Sequence, residues 1–428
     1  DGDHVAGGVM TKPAQSPLRT AAAGLIGNVL EWFDYAVYGY FSTEIAAQFF
    51  PKSLSDYEKT ILAYAVFWIG FVARPIGGLV LGYVGDRIGR RALLTLSVML
   101  MGGATLVIGL LPGYRSIGFA APMLLVAMRL VQGFSLGGEF TGSMVYTTEL
   151  ASPLWRGIIA SSTAAGTTLG FILGLGTAWI INTNLGAQAS AEWAWRIPFI
   201  GSVVFCILGF VLRSGIHESE QGKKAAAERA PVLDSLLADW KPILQTFGIV
   251  AMTNAAYYLT FTFAVEQRKA ESSDFQLYSI ISLFIVLAFK VFGGWLSDRV
   301  GRRRLMIAIS VVLMGTIYFG SHLMLHGKPS TFFVGQLLLG IPLAMALGLQ
   351  GAMVVEIFPL RTRVTSMSFA YSITLALAGG LAPMVAAWLI KNVDWPPNAP
   401  ALYVMGYGLI GVPIMWSMKE TNQRSLDE

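Results

Sequence analysis

The sequence predicts an all-α membrane protein with twelve transmembrane helices in two pseudo-symmetric six-helix halves. Three observations predict it. Of 428 residues, 54% are hydrophobic and only 13% are charged, with a mean hydropathy of +0.60; soluble domains average about 25% charged. Apolar runs near the length of a span, about 20 residues, recur along the whole sequence. One motif occurs twice: GYVGDRIGRR at 82–91 returns as GWLSDRVGRR at 294–303, an offset of 212. Backbone groups in lipid must be satisfied within their own segment, so such runs read as helices. The ten-residue alternation of a transmembrane barrel is not the pattern here.

The elements follow in chain order. Residues 1–17 form a polar tail without the short apolar core of a signal peptide, so the first span is expected to remain as an anchor. The first half, 18–213, holds spans near 18–48, 58–84, 92–112, 117–148, 156–182 and 194–213. A charged linker, 214–241, ends in PVLDSLLADW. There Val232, Leu233, Leu236, Leu237 and Trp240 share one helical face, as in a helix lying on a membrane surface. The second half, 242–418, holds spans near 242–265, 275–297, 303–323, 331–355, 364–390 and 400–418, and residues 419–428 form a tail.

Charge placement orients the chain. One set of alternating loops, with both tails, carries nineteen Lys and Arg; the other carries eight. Both termini and the long linker are therefore expected in the cytoplasm. The net charge of +5 and the pI near 9.2 come mostly from this bias, so nucleic acid is not the expected partner. The single cysteine, Cys206, excludes an intrachain disulfide. His322 and His326 are too few for a metal site. There is no phosphate-binding loop and no catalytic triad, so no enzyme, cofactor or metal is expected. A monomer is expected.

Charges inside spans are costly, about 2.5–3.5 kcal/mol each by insertion scales. In GNVLEWFDYAVYGY, residues 27–40, Asn28, Glu31 and Asp34 fall at i, i+3 and i+6, and Tyr35 and Tyr38 extend the stripe. That face is turned from lipid. Arg74 and Arg129 lie near the middles of the second and fourth spans. Burial favours a neutral acid and a nearby arginine favours the carboxylate, so these groups could form a proton switch or a structural ion pair. Glu139 follows Gly137 and Gly138, where it could pass a proton or pair within a gate. Lys290 could snorkel or line the cavity. Asn254, Tyr257 and Tyr258 share a face of the seventh span that could bind substrate or only pack. Gly166, Gly170 and Gly174 mark close helix packing.

The repeated loop permits tight turns at Gly82 and Gly89. Asp86 can face a helix N-terminus, and Arg87 and Arg90 can pair with acids. Asp298 and Arg299 repeat this. Glu149 and Arg156, seven apart, recur as Glu356 and Arg363, also seven apart. Topology alone would need neither the aspartates nor the glycine spacing.

These residues resemble the major facilitator superfamily, whose signature loop is G-x-x-x-D-R-x-G-R-R; RLVQGFSLGGE at 129–139 resembles its fourth-span pattern. More narrowly, GN-x-x-EWFDY, RP at 74–75, QG-x-x-x-GGE at 132–139 and WRIPF at 195–199 resemble the metabolite:proton symporters, including permeases for citrate, α-ketoglutarate, shikimate, and proline or betaine. The resemblance implies the major facilitator fold, gating by the repeated loops and Glu/Arg motifs, and an Asp34–Arg129 proton pair with Glu31 and Glu139 as further carriers. It places Arg129, Arg74, Asn28, Tyr35, Tyr38, Gln132, Asn254, Tyr257, Tyr258 and Lys290 near substrate. The fifth span lacks the proline of drug exporters.

The expected function is symport of a proton with a small organic acid, since guanidinium binds carboxylate. The alternative substrate is a zwitterionic osmolyte held by an aromatic box of Trp32 and these tyrosines. Osmosensing members carry a long C-terminal coiled coil, and only about ten residues follow the last predicted span here, which favours the acid. A non-transporting receptor or a channel is a third possibility, though paired gates argue against a channel.

Overall fold

The structure is a computed structural model that describes residues 17–88, 90–214, 232–394, 398–422, 424 and 426. Its spans are α1 Pro17–Tyr40, α2 Asp56–Ile88, α3 Arg90–Leu110, α4 Ala120–Leu150, α5 Arg156–Ala189 and α6 Arg196–Ser214, then α7 Trp240–Arg268, α8 Asp274–Val300, α9 Arg302–His326, α10 Pro329–Ile357, α11 Arg363–Asn392 and α12 Ala399–Ser417. Among the described residues, nine of these are long and apolar enough to cross a bilayer, and α3 and α6 contribute shorter apolar stretches.

The polarity is that of a lipid-embedded bundle. Ile76, Phe119, Met123, Leu409 and Trp416 are exposed, whereas Arg74, Arg129 and Lys290 are buried. Outward apolar side chains meet lipid, and inward charges escape it. The two halves meet chiefly where α5 packs on α8 and α10, and where α2 packs on α11. The glycine stripe of α5 lies against α1 as expected: a Cβ at Gly170 would stand 2.8 Å from the Val29 carbonyl oxygen, and one at Gly174 2.7 Å from the Ala36 Cβ. Before α9, Gly301 adopts a φ of 101°, a region that glycine enters without steric cost.

Several spans expected as single helices are broken. The first ends at Tyr40 and resumes as a short helix, Ser42–Phe49. α4 changes course at Gly137 and Gly138, where Gly137 meets the backbone of α2. α7 and α11 carry π-helical turns at Leu259–Phe263 and Leu375–Gly380. Broken helices at mid-span are typical of transporter binding sites, and π-turns often mark functional positions. In the linker, residues 215–231 lie outside the described residues. Val232–Ala238 is helical, with Val232, Leu233, Leu237 and the adjacent Trp240 exposed, as an interfacial helix requires.

Candidate functional site

The stripe Asn28, Glu31, Asp34 is buried as expected, but its side chains diverge to three different helices. Asn28 Nδ2 donates to Ser143 Oγ on α4 at 3.0 Å. Glu31 accepts from Arg74 Nη2 on α2 at 3.3 Å, and this pair is almost fully enclosed. Asp34 Oδ2 accepts from Thr105 Oγ1 on α3 at 2.9 Å.

Asp34 and Arg129 are not in direct contact, which corrects the expected ion pair. Two side chains stand between them: Gln132 Nε2 donates to Thr105 Oγ1 at 2.7 Å, and Arg129 Nη1 donates to Gln132 Oε1 at 2.9 Å. Arg129 is otherwise tied to the α2 backbone, to Phe67 O at 3.0 Å and Val66 O at 3.4 Å. Its guanidinium lies 4.3 Å from the Tyr38 ring centroid and 4.7 Å from that of Tyr35. The hydroxyls of Tyr35 and Tyr38 donate to the Gly70 and Ala63 carbonyls. These tyrosines and Gln132 therefore build the Arg129 socket rather than an open binding face.

Arg74 differs. Its Nε and Nη1 have no hydrogen-bond partner among the described residues, and neither do Trp32 Nε1 and Tyr258 OH. The rings of Trp32, Tyr35 and Phe71 lie within 5.5–5.9 Å of its guanidinium. From the second half, Tyr258 packs on Phe71 at 5.6 Å, and Tyr257 packs on Phe171 at 5.1 Å. Asn254 Nδ2 donates to Val250 O of its own helix. Sequence reasoning missed the neighbouring relay in which Thr253 donates to Gln350 and Gln350 donates to Tyr371. Lys290 does not snorkel: its ammonium donates to Ala164 O at 3.0 Å and to Thr167 Oγ1 at 3.3 Å across the interface between halves. Glu139 is half-buried and accepts from Ser97 on α3 at 3.4 Å.

At the arginine-rich end the two Glu/Arg motifs pair crosswise. Arg156 reaches Glu356 at 3.3 Å, and Arg363 reaches Glu149 at 2.7 Å. The internal repeat sets each half's glutamate against the other half's arginine. Glu356 also accepts from Arg302 Nε at 2.6 Å, and Arg302 bonds Asp298 at 3.0 Å. Asp298 accepts from the backbone N–H groups of Gly157 and Ile158 at 2.8 and 3.0 Å. A carboxylate at the start of α5 meets both orphan donors and the positive end of the helix dipole. Arg299 instead stacks on Trp295 of its own helix at 3.9 Å; Arg302 takes the cross-linking place. The repeat offset maps Arg90 onto Arg302, a signal that could have found it. The side chains of Gly82, Asp86, Arg87, Gly89 and Arg90 lie outside the described residues.

The C-terminal tail straps this end. Arg156 Nη1 donates to Arg424 O at 2.9 Å, and Arg363 Nη2 donates to Leu426 O at 2.7 Å. Glu420 caps α9, accepting from the N–H groups of Arg302 and Arg303 at 2.8 and 3.1 Å. Burial alone would raise the Glu420 carboxyl, but these and two further backbone donors hold it below the usual range.

The opposite end is bridged as well, by residues the sequence did not single out. Lys269 contacts Glu44 at 2.7 Å and Glu266 at 3.0 Å, and donates to Tyr40 O at 2.9 Å. Glu266 accepts from Ser42 Oγ and from the N–H and hydroxyl of Thr43. Burial pulls the Lys269 ammonium down, yet Glu266 and Glu44 outweigh it and hold it above its ordinary value. A raised value means that this contribution is complete below about pH 10 as long as its carboxylate partners stay ionised, and fades as pH rises through the shifted value. Among the described residues, ion pairs therefore cross between the halves at both ends. Lys269→Met should free this end, since unpairing buried charges costs about 3–5 kcal/mol. Hydrogen exchange at the amides of Ser42–Phe49 is expected to quicken at least about tenfold; unchanged exchange would deny Lys269 that role.

Comparison with known proteins agrees with the fold. The Sugar (and other) transporter family matches residues 20–235, and the Major Facilitator Superfamily matches residues 243–425. A proline/betaine transporter of Salmonella typhimurium is 33% identical over 425 residues, covering 95% of this chain and 84% of the relative. A citrate-proton symporter of Klebsiella pneumoniae is 34% identical over 374 residues, covering 85% and 84%. In fold, the chain is similar to the partially occluded inward-open xylose transporter of Escherichia coli, with a TM-score of 0.74 at 19% identity, covering 96% of this chain and 99% of that one.

Proposed function

The chain belongs to the major facilitator superfamily and groups there with the metabolite:proton symporters, and from that premise we propose that it imports a small organic acid together with a proton. The observation that carries this reading is Arg74. It is a buried guanidinium at mid-span with two nitrogens lacking acceptors among the described residues. A substrate carboxylate would supply the missing acceptors through charge-assisted bonds. Rocking of the halves would then expose the site to alternate sides, because each end is closed by contacts that cross between halves.

Asp34 is the proton carrier in this account. Thr105 has one hydroxyl proton and two acceptors in reach, Asp34 Oδ2 and Met101 O, both at 2.9 Å. An ionised Asp34 takes that proton. A protonated Asp34 donates to Thr105, whose hydroxyl then turns to Met101. Both protonation states stay hydrogen-bonded, and Gln132 relays the change to Arg129. Asp34→Asn resembles the protonated acid permanently. It is expected to keep substrate exchange but lose the alkalinisation of the outside medium that substrate addition drives. Full alkalinisation by this variant would remove Asp34 from the coupling path.

The arginine-rich end and both termini would face the cytoplasm across a bacterial inner membrane, as the lysine and arginine bias supports. A single chain completes both gates, which supports a monomer, and the proton is the only coupling ion invoked. One observation favours a second substrate class. The aromatic rings around Arg74 could hold a quaternary ammonium, and one relative is named a proline/betaine transporter.

A further inference from the structure

We propose that Lys290 sets the charge preference of the central site, making it select a substrate of net negative charge over a zwitterion of the same shape. The inference rests on the Arg74 site proposed above. Lys290 is 2% exposed. Among the described residues its ammonium has only neutral partners: a carbonyl, a hydroxyl, and the Tyr257 ring at 5.1 Å. No carboxylate stands within 4 Å of it among the described residues, whereas Arg74, Arg156, Arg268, Arg302, Arg363 and Lys269 each have one.

Arg129 also lacks a direct carboxylate, but its case differs. Each of its nitrogens already has an acceptor, and the relay through Gln132 and Thr105 ends on Asp34. With Asp34 ionised, the named mid-span charges are Arg74, Arg129 and Lys290 against Glu31 and Asp34, a surplus of one positive charge, and protonation of Asp34 adds to that surplus. A buried cation without a counter-ion is costly. A bound monoanion neutralises the surplus; a zwitterion leaves it in place. Tyr257 connects Lys290 to the substrate face, since its ring also meets those of Phe171, Tyr258 and Phe261.

The test uses two ligands of one shape. Betaine is a zwitterion, and 3,3-dimethylbutanoate is its carbon isostere, a monoanion. Binding of each to the purified full chain is measured without any gradient, so a failure of proton coupling would not disturb the readout. The wild type is expected to bind 3,3-dimethylbutanoate at least about tenfold more tightly than betaine, a difference of about 1.4 kcal/mol. Lys290→Gln should abolish that preference while retaining betaine binding, and Lys290→Arg should keep it. Equal binding, betaine ahead, or no binding of either by the wild type overturns the inference. So does an unchanged preference in Lys290→Gln. Should Lys290→Gln fail to fold, Lys290→Met removes the same charge and is read in the same way, an unchanged preference again overturning the inference.

Discussion

Replacing Arg74 with glutamine is expected to weaken substrate binding at least about tenfold while the chain still inserts. A hydrogen bond to a charged group is worth about 1.5–3 kcal/mol, so affinity should fall between about tenfold and a hundredfold or more. The same change removes the Arg74 partner of buried Glu31, and breaking a buried pair costs about 3–5 kcal/mol. Arg74→Gln should therefore also lower the melting temperature. The double variant Arg74→Gln/Glu31→Gln removes both charges and should recover much of that stability without recovering binding. Binding to the single variant at wild-type affinity would move the substrate anchor elsewhere.

The second large effect is expected at Glu356. Its two oxygens hold Arg156 of the first half at 3.3 Å and Arg302 of the second at 2.6 Å. Glu356→Gln leaves two buried guanidinium groups facing each other without their shared anion. At about 3–5 kcal/mol, that loss is large enough to shift the equilibrium more than a hundredfold toward opening at the arginine-rich end. The result can be read with a cysteine at Ala160, which is buried one turn beyond Arg156, in a Cys206→Ser background. Maleimide labelling of Ala160→Cys should rise at least about tenfold when Glu356→Gln is added. Labelling that does not change would mean that Asp298 on the start of α5, with the Arg363–Glu149 pair, closes this end unaided.

The fold was legible in the sequence because lipid imposes few solutions. Span length, the lysine and arginine bias and the 212-residue repeat each follow from one physical constraint, and they agree. Partners were harder to read. Helical spacing places Glu31 and Asp34 on one face but does not say that one reaches α2 and the other α3. The resemblance implied an Asp34–Arg129 pair, and only three-dimensional packing inserts Thr105 and Gln132 between them. The crosswise pairing of Glu149 with Arg363 and Arg156 with Glu356 follows from the relation between the halves, which no local pattern encodes. Lys269, Glu44 and Glu266 escaped notice because charges near span ends normally meet water. The tail carbonyls of Arg424 and Leu426 escaped notice because any residue can offer a carbonyl.

Uptake into proteoliposomes under an imposed inward proton gradient tests the central claim most directly. Citrate, a C4 dicarboxylate, α-ketoglutarate, proline and betaine are offered with and without an uncoupler. The account expects accumulation of an organic acid that collapses when the uncoupler is added. Accumulation that ignores the uncoupler, or no accumulation of any of these solutes, would contradict it.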